Sequence, residues 1–323
     1  MSIFDTGLNP LKKGKVVPIF LAINNKYAPY AAVTMHALTR YLNPDRYYRV
    51  IILHDGLSWA NRVKLLNLVT KNCAIQFKRI SNNLHLKIIV KYCNAKRKGA
   101  VDFFSAAVYY YRFFIPRLFP QYNKAVYIDS DVILRDDIGE LYDTDLGDNV
   151  AGAVQELVMQ TVPEFIAYSD KAIKVPHEEY ANTGVMVLDL KKMRKMHYVS
   201  TMIEMISKYD ADLLAPDQDY FNVILKGKIK FLSRDWNTGP QEELTDDTKL
   251  IHYYLYKKPW HYKDVPYGEY FWDAAKGTGY FNELKRQQAR FESSERKKDE
   301  DKIKFFIKKA AKLSKTKEPL IKL

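Results

Sequence analysis

Cysteine is nearly absent from this 323-residue chain. It has only Cys73 and Cys93, neither with His or Cys neighbours at metal-ligand spacing. In a chain this long that excludes a disulfide scaffold, suits a reducing compartment and leaves both thiols as packing residues. No run approaches the ~18 apolar residues of a membrane-spanning helix. The opening Met-Ser-Ile-Phe-Asp-Thr-Gly lacks the charged-then-apolar order of a leader, so the expected location is the cytoplasm. Neither a Walker sequence nor G-x-G-x-x-G occurs anywhere, which removes the common glycine-rich phosphate cradles. There is no internal repeat and no recognisable nucleic-acid-reading module.

What the chain has is enough apolar material, 47% of its residues, for one large core or two modest ones. Its net charge of +13 is uneven. Residues 302–323 carry eight lysines against one acid, Glu318, a surplus of +7 that leaves +6 for the remainder. Ile303, Phe306, Ile307, Ala310 and Leu313 recur there at helical spacing with lysines on the flanks. That pattern fits a helix lying on the anionic inner face of the cell membrane, where each lysine contributes ~1 kcal/mol. An ordinary solvated C-terminal helix fits it equally well. Nucleic acid is not an expected partner, because the basic residues are confined to a tail.

Hydrophobic periodicity gives an alternating order. Strands are expected at 16–23, 48–53 and 74–80, with helices from Tyr27 to Tyr41 and from Ser58 to Leu68 between them, Ser58 serving as N-cap. This β-α-β-α-β grammar belongs to a parallel α/β sheet. Residues 81–101 read as a polar loop, and Phe103 to Leu118 as an aromatic-rich helix carrying one cation, Arg112. An arginine among so many aromatic residues needs an anionic partner, either a structural aspartate or a substrate phosphate. Further strands are expected at 150–156 and 184–190, with helices at 162–172 and 191–208.

The residues that point to chemistry begin at Lys124-Ala-Val-Tyr-Ile-Asp-Ser-Asp, an apolar run ending in Asp129 and Asp131. Asp-x-Asp occurs five times in the chain, and an isolated copy is usually a solvated turn. Only this pair directly follows one apolar run and precedes another, Val132-Ile133-Leu134, which sets it at a sheet edge. Carboxylates there can hold a hard cation where open α/β sheets bind nucleotides. Two further segments stand out, Ala181-Asn182-Thr183-Gly184 before a strand, and Ile251-His252 through Lys258-Pro259-Trp260. A third is Pro216-Asp217-Gln218-Asp219, which carries polar side chains into a helix.

In these motifs, and in their order over about residues 16–262, the chain resembles glycosyltransferase family 8, a retaining group. The resemblance implies an α/β fold of GT-A type, a Rossmann-like mixed sheet flanked by helices, with a basic helical C-terminal appendage. It implies a catalytic domain over 1–262, with a nucleotide-sugar part over 16–131 and an acceptor part over 132–262, and a lysine-rich tail over 263–323. By the same resemblance Asp129, Asp131 and His252 are the expected ligands of manganese, or of magnesium in its place. Lys258 is expected on the diphosphate, and Ala22, Asn24 and Tyr27 around uridine. Ser130, Arg112, Asn182 and Gly184 are expected along the donor, with Asp217 and Gln218 at the reacting sugar. The family commonly has aspartate at Asn24, asparagine at Lys26 and glycine at Leu255. Taken singly, His252 would be a satisfied strand-end histidine, Asp217 a helix cap, Arg112 an ion-pair partner and Trp260 core. Their joint order is what carries the resemblance.

The expected reaction is metal-dependent transfer of glucose or galactose from a UDP-sugar to a hydroxyl of a glycan, glycolipid or glycoprotein. Front-side attack is favoured because Gln218 is a poor nucleophile, and double displacement through Asp217 or Asp219 stands as the variant. Glu156, Thr161 and the Arg234–Asn237 loop are the acceptor candidates, with Trp236 suited to stacking on a sugar face. The rival expectations are a catalytically silent scaffold at the membrane and a sugar nucleotidyltransferase. The second usually needs the glycine- and basic-rich loop that Asn24-Asn25-Lys26-Tyr27 does not supply.

Overall fold

A computed structural model describes residues 16–80, 107–209, 211–291 and 293–323. The expected loop over 81–101, with Cys93, lies outside the described residues, as does the start of the aromatic segment at 103–106. In chain order the strands are β1 (Val16–Ile23), β2 (Tyr47–His54), β3 (Cys73–Arg79), β4 (Lys124–Ile128) and β5 (Val132–Leu134). They continue as β6 (Ala151–Gln155), β7 (Ala181–Asp189), β8 (Ile229–Phe231) and β9 (Leu250–His252).

The chain forms two compact units, each gathered from three segments. The first holds the described residues up to Ile80, then Lys124–Asp145 and Ser233–Ser293. Its strands run in the order β3-β2-β1-β4, all parallel, with β1 and β2 in step from Val16↔Tyr47 to Ile23↔His54. These strands are apolar on both faces because helices cover them. The helix Ala28–Thr39 is buried over almost its whole length, and Thr34 Oγ1 donates to the carbonyl of Val132 at 2.8 Å, tying the helix to β5. Ser58 caps the next helix, Trp59–Leu66, accepting from the Asn61 amide at 3.3 Å. Cys73 is a buried free thiol, and burial pushes its pKa up to about 12.

The apolar run from Lys124 is a strand as far as Ile128, and Asp129–Asp131 form the turn into β5. β5 does not continue the parallel sheet. It pairs antiparallel with β9, Val132 facing His252 and Leu134 facing Leu250.

The second unit holds the described residues of 107–123, then Leu146–Leu232 and Ser294–Leu323. Here β6 lies between β7, antiparallel to it, and β8, parallel to it. The aromatic segment is a 3-10 helix over Ala107–Phe114 followed by a single α turn, Ile115–Leu118, rather than one long helix. Pro116 accounts for this, since it has no amide to bond back to Arg112. The helix expected over 191–208 is likewise divided, into Leu190–Lys195 and Tyr198–Tyr209, by His197 in the left-handed region (φ 57°).

Residues 263–323 are helical as expected, but they are shared between the units. The helices Gly268–Lys276 and Phe281–Arg290 attach to the first through Arg40–Asp273 (2.6 Å) and Tyr30–Gln287. The long helix Ser293–Leu313 attaches to the second. Ala310 is fully buried there, and Lys309 reaches both Asp212 and the Leu213 carbonyl at 2.7 Å. The chain beyond it is pinned by the Leu320 amide on the Ala172 carbonyl (2.7 Å) and by buried Ile321.

One buried contact fixes the segment that follows β5. The Tyr48 hydroxyl donates to Asp137 Oδ1 at 2.6 Å, and the same oxygen accepts the Gly139 amide at 2.9 Å as N-cap of the helix Ile138–Asp143. Removing the hydroxyl leaves a buried carboxylate one donor short. Tyr48→Phe should therefore lower the unfolding free energy by roughly 1.5–3 kcal/mol in urea titration, without changing the slope of the transition.

Candidate functional clusters

In the first unit the Asp129–Asp131 turn and the end of β9 meet. Asp129, Asp131 and His252 each offer one ligand atom, and these atoms all lie within 4.8 Å of one another. Asp129 is held from its own strand by the Tyr127 hydroxyl, at 2.9 Å. Asp131 receives the Tyr253 amide on its carbonyl (3.0 Å) and the Lys258 ammonium on Oδ2 (2.5 Å), while His252 Nε2 lies 3.3 Å from Oδ1. Burial opposes ionisation of Asp131, but the Lys258 cation and the His252 ring outweigh it and hold the carboxyl well below the ordinary aspartate range.

His252 is 2% exposed, and its other ring nitrogen, Nδ1, lies 2.8 Å from Asn237 Oδ1. With the proton on Nδ1 donated to that carbonyl, Nε2 presents a lone pair toward the two acids. Asp131 Oδ1 is buried and makes no hydrogen bond. Two carboxylates, an outward imidazole nitrogen and an orphaned acid oxygen form a mixed O/N donor set that suits a borderline divalent metal. Lys258, kept close by the Tyr253 carbonyl and Asp131, places a positive charge beside that acid.

Elsewhere in this unit, Ala22 lies near the end of β1 and Asn24 caps the 3-10 turn Asn25–Tyr27, its Oδ1 accepting the Lys26 and Tyr27 amides at 3.0 and 3.2 Å. Tyr27 packs edge-on to Tyr30, which stacks on Trp260 with centroids 4.0 Å apart. Leu255, where glycine is common in the resembled family, has φ 58°, a left-handed backbone that favours glycine.

The second unit holds a different cluster, built from the start of β7 and of the helix Pro216–Ile224. Arg112, 4% exposed, donates through Nη1 to the Thr183 carbonyl (2.6 Å) and hydroxyl (3.2 Å), and its Nη2 lies 3.8 Å from Asp217 Oδ2. The anionic partner that its apolar setting demands is thus an aspartate. Gln218 Oε1 accepts the Thr183 amide at 3.0 Å, and its Nε2 points to Glu156 Oε2 at 3.4 Å. Asn182 donates to the same Glu156 oxygen at 2.6 Å and accepts the Gly184 amide at 2.8 Å. Asn222 pairs both ends of its amide with the Ala181 backbone.

Asp219 is fully buried and both its oxygens are engaged, by the Tyr180 hydroxyl (2.6 Å), the Tyr168 hydroxyl (2.9 Å) and the Ala215 amide (3.0 Å). Desolvation raises its pKa to about 6 despite these donors.

Ser130 is buried between the two metal candidates in the turn. Two acceptor candidates sit differently from expectation. Trp236 is only 7% exposed, with the Lys249 ammonium 5.4 Å from its ring centre, so it packs in the core of the first unit and offers no open face. Glu156 is 5% exposed and faces amides. Asn237, grouped by sequence with the acceptor loop, instead orients His252. Tyr168 and Tyr180 were not singled out at all, because tyrosines are numerous and only the fold brings these two to one aspartate.

Set against known proteins, the family model described as Glycosyl transferase family 8 matches residues 18–264. The chain is 30% identical over 171 residues to the lipopolysaccharide 1,2-glucosyltransferase of Escherichia coli (strain K12), covering 49% of this chain and about half, 50%, of that relative's length. Among solved structures it is similar to the galactosyltransferase LgtC in complex with donor and acceptor sugar analogues, at 26% identity and TM-score 0.67 over 81% of this chain and 96% of that one. It is also similar to the WbbM bifunctional glycosyltransferase, at 25% identity and TM-score 0.69 over 88% of this chain and 54% of that one. The mixed α/β architecture matches the GT-A-like fold of LgtC.

The raised Asp219 pKa has a sign that can be measured. The unfolded carboxyl ionises near its ordinary value and the folded one near 6, so the unfolded state loses its proton first and stability falls as pH rises through that window. The effect of about two pKa units amounts to roughly 3 kcal/mol. In urea titrations, the stability of the native chain minus that of Asp219→Asn should be larger at pH 4 than at pH 7.

Proposed function

The chain belongs to glycosyltransferase family 8, and from that premise we propose that it moves glucose or galactose from a UDP-sugar to a hydroxyl of a glycan, glycolipid or glycoprotein, with retention at the anomeric carbon. The observation that carries this reading is the meeting of Asp129, Asp131 and His252 at one end of the antiparallel β5–β9 pair. Bound by these three residues, manganese would supply positive charge to the diphosphate as the sugar departs. Lys258 adds a second positive charge to the leaving nucleotide and needs no proton transfer to do so. Asn237 keeps the His252 lone pair directed outward. Ala22 and Tyr27 offer surface to the uridine, and Asn24 holds their turn in shape.

For the sugar, Asp217, Asn182 and Gly184 are the contacts we propose, with Arg112 bracing Asp217 and Thr183. By the family resemblance Gln218 is the residue assigned to the reacting sugar, where it would act by position and dipole. Attack from the front face is favoured over a covalent intermediate by the state of the candidate nucleophiles. Asp219 has neither oxygen free of a donor, and Asp217 faces a guanidinium. The acceptor hydroxyl then gives its proton to the departing phosphate oxygen.

We also propose that the C-terminal helix attaches the enzyme to the anionic inner face of the cell membrane. Its inner side is occupied by Asp299 and Ala310, while Lys304, Lys308, Lys312 and Lys315 share an exposed side with Phe305. No helix among the described residues is long and apolar enough to cross a membrane.

Two outcomes follow. Supplied with UDP-glucose or UDP-galactose, the chain should release UDP only with manganese or magnesium, and Asp131→Asn should reduce the rate by at least about 10²-fold while Gln218→Ala weakens transfer without abolishing it. Release that ignores chelation, or no release from any UDP-sugar, would refute the assignment. In flotation with anionic vesicles, the chain should bind at low salt and dissociate as ionic strength rises, and Lys304, Lys308, Lys312 and Lys315 changed together to Gln should abolish binding.

A further inference from the structure

Glu156 is a buried carboxyl group that the proposed reaction does not use. It follows β6 and caps the short helix Leu157–Thr161, the Val158 amide reaching its Oε1 at 3.4 Å. At 5% exposure it has no lysine, arginine or histidine within ion-pair distance among the described residues, and its other donors are two neutral amides. A carboxylate in such a place is costly, and amides recover only part of the cost.

What the carboxylate does for those amides is specific. An amide side chain is nearly symmetric in shape, and only its partners decide which end is oxygen. The Glu156 Oε2 oxygen accepts from both neighbours, so both turn their NH2 groups toward it. Asn182 does so at 2.6 Å and Gln218 at 3.4 Å. Their carbonyls are thereby sent the opposite way, Asn182 Oδ1 to the Gly184 amide at 2.8 Å, and Gln218 Oε1 to the Thr183 amide at 3.0 Å and its hydroxyl at 3.4 Å. Those last two are donors, so each end of the network requires the same orientation. Arg112 closes the arrangement by gripping the Thr183 carbonyl.

We propose that Glu156 is a positioning residue for the transfer step, whose carboxylate orients the side-chain amides of Gln218 and Asn182. This rests on the reading of Gln218 as a residue at the reacting sugar, and it replaces the acceptor contact first expected of Glu156. A glutamine in its place would have the same size but could present either end to its neighbours, and the Gln218 amide would lose its single orientation.

Two measurements test it. In the chain labelled with 15N, the side-chain NH2 resonances of Gln218, identified by their loss in Gln218→Ala, should shift or broaden in Glu156→Gln. Unchanged resonances would overturn the proposal, and this arm needs no substrate. In steady-state transfer with manganese and the preferred UDP-sugar, Glu156→Gln should lower kcat by about 10²-fold with donor and acceptor KM within about twofold. The same change made in the Gln218→Ala background should have almost no further effect. An equal loss in both backgrounds, or a loss confined to acceptor KM, would overturn it. If Glu156→Gln does not fold, Glu156→Asp, which keeps the charge but shortens its reach, should show the same kcat loss and the same dependence on Gln218. A native chain that transfers no sugar would sink the functional reading and leave the resonance arm to decide this one.

Discussion

Three cross-strand pairs hold the metal candidates together: Val132 with His252, Ile133 with Ile251 and Leu134 with Leu250. Asp131 immediately precedes one strand and His252 ends the other, so the distance between acid and imidazole is set by backbone register. A slip of one residue would turn His252 to the other face, because side chains alternate along a strand. Burial of all six residues makes that slip costly, since it would expose apolar side chains. The neighbouring bonds reinforce the register, with the Tyr253 amide on the Asp131 carbonyl at one end and the Arg135 amide on the Lys249 carbonyl at the other. Thr34 then fixes the pair to the helix Ala28–Thr39.

The two clusters solve the problem of buried charge in opposite ways. In the first, Asp131 is held ionised by the adjacent Lys258 ammonium, and its free oxygen points to the same place as the ligand atoms of Asp129 and His252. In the second, Asp219 is surrounded by hydroxyl and amide donors without a cation, and desolvation pulls it toward the neutral form. The first arrangement suits the binding of an ion. The second suits rigidity, because each donor in it has a definite partner, and Arg112 converts a charge on Asp217 into a brace across the start of β7.

Much of this was legible from the sequence, for reasons that differ by element. The bounds of β1, the Ser58 cap and the special standing of Asp129 and Asp131 follow from local pattern, which the fold had no reason to override. His252 needed the resemblance, since nothing local separates it from a packing histidine. The divided segments were misjudged because each break comes from one residue, Pro116 or His197, whose effect a hydrophobic period does not register. Trp236 was misplaced because an aromatic in a polar loop reads as exposed, and only tertiary packing buries it. Leu255 was flagged by comparison with glycine, and its left-handed backbone supplies the reason. The roles of Asn237, Tyr168 and Tyr180 depend on partners distant in the chain, and single-residue pattern carries no trace of them.

The span between the two halves of the candidate metal cluster, 252 − 131 = 121 positions from Asp131 to His252, bears on how the protein is born. On the ribosome the acidic turn emerges long before the imidazole, and a nascent chain that has not reached β9 can fold β1 and β2 but cannot bring the three candidate ligands together. Long-range pairing of this kind is slow to form and comes after local structure. The candidate site therefore closes only once synthesis has passed β9.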